Sequence, residues 1–141
     1  MKNLFYLLFI AIAFIISCTK DNLTFEENLL GDWIVDDSYY ETIGDSIITS
    51  FGGIYFITFE QEPNGSTYGF IGVNPLRWNY NSKDNKITIT ERALSNNPEI
   101  FEYDIDVYEE NYQKWISKKV YKSGANEKEI CARQTWILIR K

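Results

Sequence analysis

The sequence predicts an all-β domain, an eight-stranded antiparallel up-and-down meander closed into a barrel. Apolar and polar residues alternate over several segments, as expected of strands with one dry face. Short polar segments rich in Gly, Asn and Pro separate them at hairpin spacing. Closure into a barrel removes exposed strand edges. A two-sheet β-sandwich satisfies the same pattern and is the alternative fold.

The strands follow from this alternation in chain order. The first begins at Leu30, and Trp33 and Val35 share one of its faces. Residues 38–50 fit either a hairpin that turns at Gly44-Asp45 or a long loop over one end of the domain. The predicted strands cover residues 30–36, 51–59, 68–70, 76–81, 86–90, 101–107, 112–121 and 130–140.

Turn signals separate these strands. Pro63-Asn64-Gly65 ends the second strand, where Gly is suited to a positive φ. Asn74-Pro75 breaks the ladder before the fourth strand, and residues 82–85 and 109–111 turn the chain again. No tandem repeat or second hydrophobic block indicates another domain.

The N-terminus has the features of a secretory signal. Lys2 precedes the apolar run Leu4–Ile16. As a helix this run would span roughly 20 Å, which is short of the roughly 30 Å hydrocarbon core of a bilayer and disfavours a retained signal anchor. The segment Ile15–Cys18 resembles the lipobox of bacterial lipoproteins. It implies a cleaved signal peptide over residues 1–17.

The lipobox resemblance also implies acyl chains on Cys18. Each buried CH₂ contributes about 0.8 kcal/mol, so two or more chains give stable membrane attachment. Thr19, in place of Asp, resembles lipoproteins sent to the outer membrane. We therefore expect a lipid-anchored protein of the cell envelope, in the outer membrane on its periplasmic or surface face. The lipidated cysteine and a polar tether would occupy residues 18–28, and a single barrel domain residues 29–141.

Composition argues against several classes of function. The formal net charge is −6, and nucleic-acid binding needs clustered Lys and Arg. The chain contains no His, which removes Ser-His-Asp and Cys-His sites and His-ligated zinc. The acidic pairs at residues 26–27, 36–37 and 109–110 are interpreted as solvated charge. We expect a protein that is not an enzyme, with no catalytic residues, no metal site, no cofactor and no nucleic-acid partner.

The two cysteines do not form a disulfide framework. If Cys18 carries lipid, Cys131 has no partner within the chain. Cys131 lies beside Ala132 in an apolar strand, so we expect a buried small hydrophobe and not a reactive thiol. Stability must then come from packing.

The segment Leu30–Trp33 carries a Gly-X-Trp motif at the start of the first strand. With the eight-strand meander and an Arg near the end of the last strand, it resembles the lipocalins, and more closely the short lipocalin-like domains of bacterial lipoproteins. The likeness spans roughly Leu29–Lys141. It implies that Trp33 closes one barrel end, with Arg140, or alternatively Arg133, packed across the indole. Such a cation–π pair contributes about 0.5 to 2 kcal/mol.

Eight aromatic residues are candidates for the barrel interior. Their rings and hydroxyls suit a small apolar or amphipathic ligand, but small barrels also fill with side chains. The first hypothesis is therefore a membrane-anchored binding protein. The second is an interaction module with a filled barrel, an accessory subunit or inhibitor of an envelope complex that acts through its loops. The candidates are Tyr55, Phe59, Tyr68, Phe70, Trp78, Tyr80, Phe101 and Tyr103.

Overall fold

The chain folds into a closed antiparallel barrel, as predicted. The computed structural model describes residues 23–123 and 128–141. Each strand pairs with its neighbours in chain order, and the first pairs with the last. The up-and-down topology is confirmed, and the β-sandwich alternative is wrong. The elements are α1 (Phe25–Leu29), β1 (Gly31–Ile43), β2 (Ser46–Gln61), β3 (Thr67–Ile71), β4 (Asn74–Asn81), β5 (Lys86–Glu91), β6 (Glu99–Tyr108), β7 (Tyr112–Ser123) and β8 (Lys128–Arg140).

Residues 38–50 form a hairpin and not a long loop. β1 and β2 pair continuously from Gly31 opposite Phe59 to Ile43 opposite Ser46, with one bulge. Gly44 in the turn has a φ of +56°, a conformation that favours glycine. Both strands therefore extend well beyond the segments in which alternation is clearest.

The two ends of the barrel differ because the strands have unequal lengths. In the described part of the chain, β2 pairs with β3 only over Ile57–Gln61, and β6 pairs with β7 only over residues between Asp104 and Tyr108. β1, β2, β7 and β8 therefore extend past the other four strands at one end, which we call the open end. The opposite end carries α1 and the last residues of β8, and we call it the closed end.

Aromatic side chains fill the closed half of the barrel. Trp33, Trp115 and Trp136 are buried, and the rings of Trp115 and Trp136 stack with centroids 5.9 Å apart. Phe59 lies 5.8 Å from the Trp115 ring, and Tyr103 lies 4.7 Å from the Trp136 ring. Large rings bury much apolar area per residue. They give this half of the barrel a continuous core.

Trp33 and Arg140 meet at the closed end. They occupy paired positions on β1 and β8, and the Arg140 guanidinium lies 4.4 Å above the centroid of the fully buried Trp33 ring. The Trp33 indole N–H donates to the Leu29 carbonyl at 2.7 Å. Arg140 also donates to the carbonyls of Asn28, Leu30 and Glu110. One guanidinium thus covers the indole and satisfies carbonyls from two separate segments.

The helix α1 covers this end of the barrel. Thr24 and Glu27 form a reciprocal capping box at its start. Phe25 and Leu29, one helical turn apart, both face the core and are buried. Phe25 stacks on Tyr80 at 4.1 Å between centroids. Residues 25–28, at the end of the predicted tether, thus belong to a short helix that packs on the barrel.

Cys131 lies on the outer face of β8 and is exposed, which contradicts the expected burial. Its neighbours Ile130 and Ala132 take the inner face and are buried. Successive side chains of a strand point to opposite faces. Ala132, and not Cys131, shares the face of Trp136.

The predicted signal peptide and Cys18 lie outside the described residues. Within residues 23–123 and 128–141, no helix combines the length and apolar character needed to cross a membrane. Cleavage and acylation at Cys18 stay predictions.

Replacement of Trp33 should destabilise the barrel strongly. Trp33→Ala removes a fully buried indole and leaves a cavity beneath Arg140, so we expect the free energy of unfolding to fall by about 3 to 5 kcal/mol. Urea denaturation followed by tryptophan fluorescence measures this loss. As a control, Ile54→Ala removes a side chain that is 74% exposed and should cost less than about 1 kcal/mol. Equal stabilities of the two variants would contradict a closing role for Trp33.

Candidate ligand-binding site

A cleft of about 540 Å³ lies at the open end of the barrel. Small-molecule sites typically have volumes of roughly 300 to 1,000 Å³ and mostly apolar walls with a few polar groups. The walls here come mainly from the inner faces of the extended strands. The aromatic and aliphatic lining residues are Tyr39, Phe51, Tyr55, Ile71 and Phe101. The polar lining residues are Asp37, Glu41, Thr49, Glu91 and Gln134.

Three aromatic residues separate the cleft from the filled half of the barrel. Tyr103 and Trp136 are buried, and Tyr55 meets Trp136 edge to face with centroids 5.9 Å apart. Tyr55 itself lines the cleft. These rings form an aromatic floor, so the cleft is confined to the half of the barrel at the open end.

A chain of hydrogen bonds crosses the cleft just above this floor. The Tyr103 hydroxyl donates to Gln134 Oε1 at 3.1 Å. Gln134 Nε2 in turn donates to both carboxylate oxygens of Asp37, at 3.1 and 3.0 Å. Because both ends of the Gln134 amide are engaged, its orientation is fixed. The Asp37 carboxylate is therefore held in place at the edge of the floor.

Two carboxylates of the cleft are partly buried and have raised pKa values. Burial raises the pKa of Asp37, and hydrogen bonding from Gln134 opposes this shift. Burial also raises the pKa of Glu91, the negative charges of Glu99 and Asp37 raise it further, and the positive charge of Arg92 opposes the shift. Loss of hydration disfavours the ionised form of each group. The cleft thus holds negative charge that is incompletely solvated.

A third carboxylate, Glu41, lies nearer the rim. It accepts hydrogen bonds from the hydroxyls of Tyr39, at 2.5 Å, and of Tyr121. These hydrogen bonds, that from Tyr121 first, lower the pKa of Glu41. Burial and the hydrogen bond to Glu41 raise the pKa of Tyr39 to about 12. At neutral pH the rim therefore carries an ionised carboxylate held by two neutral phenols.

A second, smaller opening of about 190 Å³ lies where β6 and β7 are no longer paired. It shares Tyr39, Phe101 and Gln134 with the main cleft. Lys119 and Tyr121 of β7 lie on its other side. The site is thus accessible from the side of the barrel as well as from its end.

The structure divides the eight predicted lining residues into three groups. Tyr55 and Phe101 line the cleft. Four others face the interior beneath the cleft, packed in or against the core: Phe59, Trp78, Tyr80 and Tyr103. A filled barrel and an open cavity were alternatives in the sequence analysis, and the structure has a filled half at the closed end and a cleft at the open end.

The prediction is wrong for Tyr68 and Phe70, which lie on the outer face of β3. Phe70 is 38% exposed, and the register places Gly69 of β3, not Tyr68, opposite the inward-facing Phe59. A Cβ atom on Gly69 would lie only 2.0 Å from the Thr58 carbonyl oxygen. Trp78 spans these strands and donates its indole N–H to the carbonyls of Glu60 and Tyr68. The inward position of β3 opposite Phe59 is therefore occupied by Gly69 and not by a large aromatic residue.

Several cleft residues were missed from the sequence, above all Asp37, Glu91 and Gln134. A signal for all three was present. Asp37 continues the inward face of Trp33 and Val35, Gln134 continues that of Trp136, and Glu91 continues that of Ile89. Polar residues at inward positions of a strand indicate either a hydrogen-bonded network or a site. Here they form both.

Comparison with families, curated proteins and solved structures found no match to this chain. Within the described residues, no three acidic or cysteine side chains are grouped closely enough to hold a metal ion. The geometry of the cleft is therefore the basis for assigning a function.

Neutralising either half-buried carboxylate, Asp37 or Glu91, should stabilise the protein at neutral pH. The pKa values of Asp37 and Glu91 are raised in the folded state. The stability linked to their protonated forms is therefore fully present below the unfolded-state pKa of about 4. It is lost as the pH rises through the folded-state pKa values. Asp37→Asn and Glu91→Gln should thus melt at a higher temperature than wild type at neutral pH, and the difference should disappear towards about pH 4.

Thermal unfolding across this pH range measures the effect. Glu129→Gln removes one negative charge from an exposed position on β8 and should leave the melting temperature almost unchanged. A lower melting temperature for both cleft variants at neutral pH would contradict the inferred cost of the buried charges.

Proposed function

We propose that this protein is a lipid-anchored, non-enzymatic binding protein of the cell envelope that holds a small amphipathic ligand at the open end of its barrel. The observation that carries the proposal is the cleft of about 540 Å³, with aromatic walls and an oriented Gln134–Asp37 pair at its floor. Apolar area supplies affinity and a few fixed polar groups supply orientation. The eight-stranded barrel itself fits a lipocalin-like fold.

The position of α1 supports a particular orientation for such an anchored protein. Cys18 precedes Leu23 by five residues, a separation that spans at most about 18 Å in extended chain. Leu23 lies at the closed end, where its carbonyl accepts a hydrogen bond from the Tyr108 hydroxyl. Acyl chains on Cys18 would thus hold the closed end near the membrane. The cleft would be presented away from the anchored leaflet.

Anchoring through Cys18 predicts a change of cellular fraction. In Cys18→Ala no acyl chain can be attached, so the protein should move from the membrane fraction to the soluble fraction. Immunoblotting of separated fractions measures the shift. The matched variant Cys131→Ala keeps the anchor and should stay in the membrane fraction. Retention of Cys18→Ala in the membrane would exclude the lipid anchor.

Occupancy of the cleft can be tested by filling it. Gly53 lies on the same inward face of β2 as Phe51 and Tyr55, which line the cleft. No atom lies within 4 Å of a Cβ atom built on it. Gly53→Trp should therefore occupy the cleft without disturbing the fold. Native mass spectrometry of protein extracted from its own membrane should show a bound small molecule on wild type and none on Gly53→Trp.

The control is Ile54→Trp, one residue along the same strand and on the outer face, where Ile54 is 74% exposed. This variant should retain the bound molecule. If wild type carries no small molecule, and extracted envelope lipids cause no thermal shift, the binding function is excluded.

A second candidate function is an interaction module. Apolar side chains are exposed on the outer faces of β2 and β8, the two strands that flank β1, including Ile54 and Phe56 of β2 and Ile139 of β8. Exposed apolar surface of this kind suits contact with another protein. An envelope partner that is lost on Ile54→Trp but retained on Gly53→Trp would support this candidate.

A further inference from the structure

We propose that the ligand of the cleft is an organic cation, an ammonium group carried on an apolar or aromatic body. This inference rests on the proposed binding function and names the class of ligand. It is derived from the charge, the aromatic walls and the unpaired carboxylate of the site.

The charges that face the cleft are all negative. Asp37, Glu41 and Glu91 contribute carboxylates, and none of the lining residues is Lys or Arg. Lys119 lies in the side opening and not in the cleft. Because no cation lines the cleft, these carboxylates repel an anionic ligand and attract a cation.

Glu91 is the carboxylate to which a ligand would supply the missing hydrogen-bond or ion-pair partner. Among the described residues, no side chain donates a hydrogen bond to it or forms an ion pair with it. The neighbouring Arg92 is bound instead to Glu99, at 2.9 Å. Glu41, by contrast, already accepts hydrogen bonds from two phenols. A partly buried carboxylate without a partner is costly, and a ligand ammonium would offset that cost.

The walls match the other parts of an organic cation. Tyr39 and Phe51 stack at 4.5 Å between centroids, and both rings line the cleft with Tyr55 and Phe101. Aromatic faces attract ammonium groups by about 0.5 to 2 kcal/mol and also bury apolar ligand surface. A neutral apolar ligand would contact the rings but leave the half-buried Glu91 carboxylate without a partner.

The arrangement does not suit a metal ion. In the described residues, no three potential ligands of the appropriate types converge on one point. The carboxylates come from different positions around the cleft, on β1 and β5. A bulky cation that contacts carboxylate and aromatic groups over its whole surface fits this spacing better than a small divalent ion.

Three probes of the same shape and different charge test the inference. Phenylpropylamine is cationic, phenylpropanol is neutral and phenylpropanoate is anionic at neutral pH. Isothermal titration calorimetry of the full chain in a neutral detergent should show that the amine binds about tenfold more tightly than the alcohol, and that the acid does not bind. The binding of the amine should weaken with added salt.

Three variants test whether the amine binds in the cleft and whether the Glu91 charge contributes to its affinity. Gly53→Trp should abolish binding of the amine, and Glu91→Gln should weaken it about tenfold towards the affinity of the alcohol. Glu129→Gln removes an equal charge from the outer surface and should leave the affinity unchanged. Since Glu91→Gln is expected to be the more stable protein, a lost affinity would not reflect unfolding, and its melting temperature verifies this.

The outcomes separate this inference from the proposed function. If the alcohol or the acid binds as tightly as the amine and Gly53→Trp abolishes that binding, the cleft is a binding site but the cation inference is wrong. Calcium or magnesium binding that is lost in Glu91→Gln, with no amine binding, would also overturn it in favour of a metal ion. If none of the three probes binds in a manner sensitive to Gly53→Trp, this inference is wrong, and the proposed function fails with it only when native mass spectrometry also shows no small molecule on wild type and extracted envelope lipids cause no thermal shift.

Discussion

The contact between Trp33 and Arg140 is the interaction on which the rest of the structure depends. A helix leaves its last carbonyls without partners, and Arg140 satisfies those of Asn28 and Leu30 together with that of Glu110 in the β6–β7 turn. The same guanidinium covers the Trp33 indole. The closed end is therefore covered by packed and hydrogen-bonded residues, and the aromatic core lies directly against them.

The unequal strand lengths produce the cleft. Above Ile57 on β2 and Asp104 on β6 the ring of strands is incomplete, so inward side chains there lack partners on the opposite wall. The rings of Tyr39 and Phe51 consequently line a space and do not fill it. Half-buried carboxylates in such a space reduce stability, and groups with perturbed pKa values gathered in a cleft are typical of functional sites. The loss of stability arises at the carboxylates of the cleft, where a bound ligand could offset it.

Much of the fold was predictable because alternation with a period of two is a local property of the chain. It placed Tyr55, Trp78 and Phe101 on inward faces, and the Gly-X-Trp motif with a late arginine indicated a pair that the structure brings into contact. The candidate site was predictable only in part. Its aromatic character was anticipated, whereas Asp37 was interpreted as solvated charge, and Glu41, Glu91 and Gln134 were not singled out.

The sequence alone determined the all-β class, the strand order and most inward faces, since these follow from residues close together in the chain. The tertiary structure decided the rest. Pairing between β2 and β3 placed Gly69 inside and Tyr68 outside, because register depends on what the opposite strand presents. Asp37, Glu91 and Gln134 come from β1, β5 and β8 and share a cleft only because the barrel closes. Alternation indicates which residues share a face, and only the pairing of distant strands determines what that face meets.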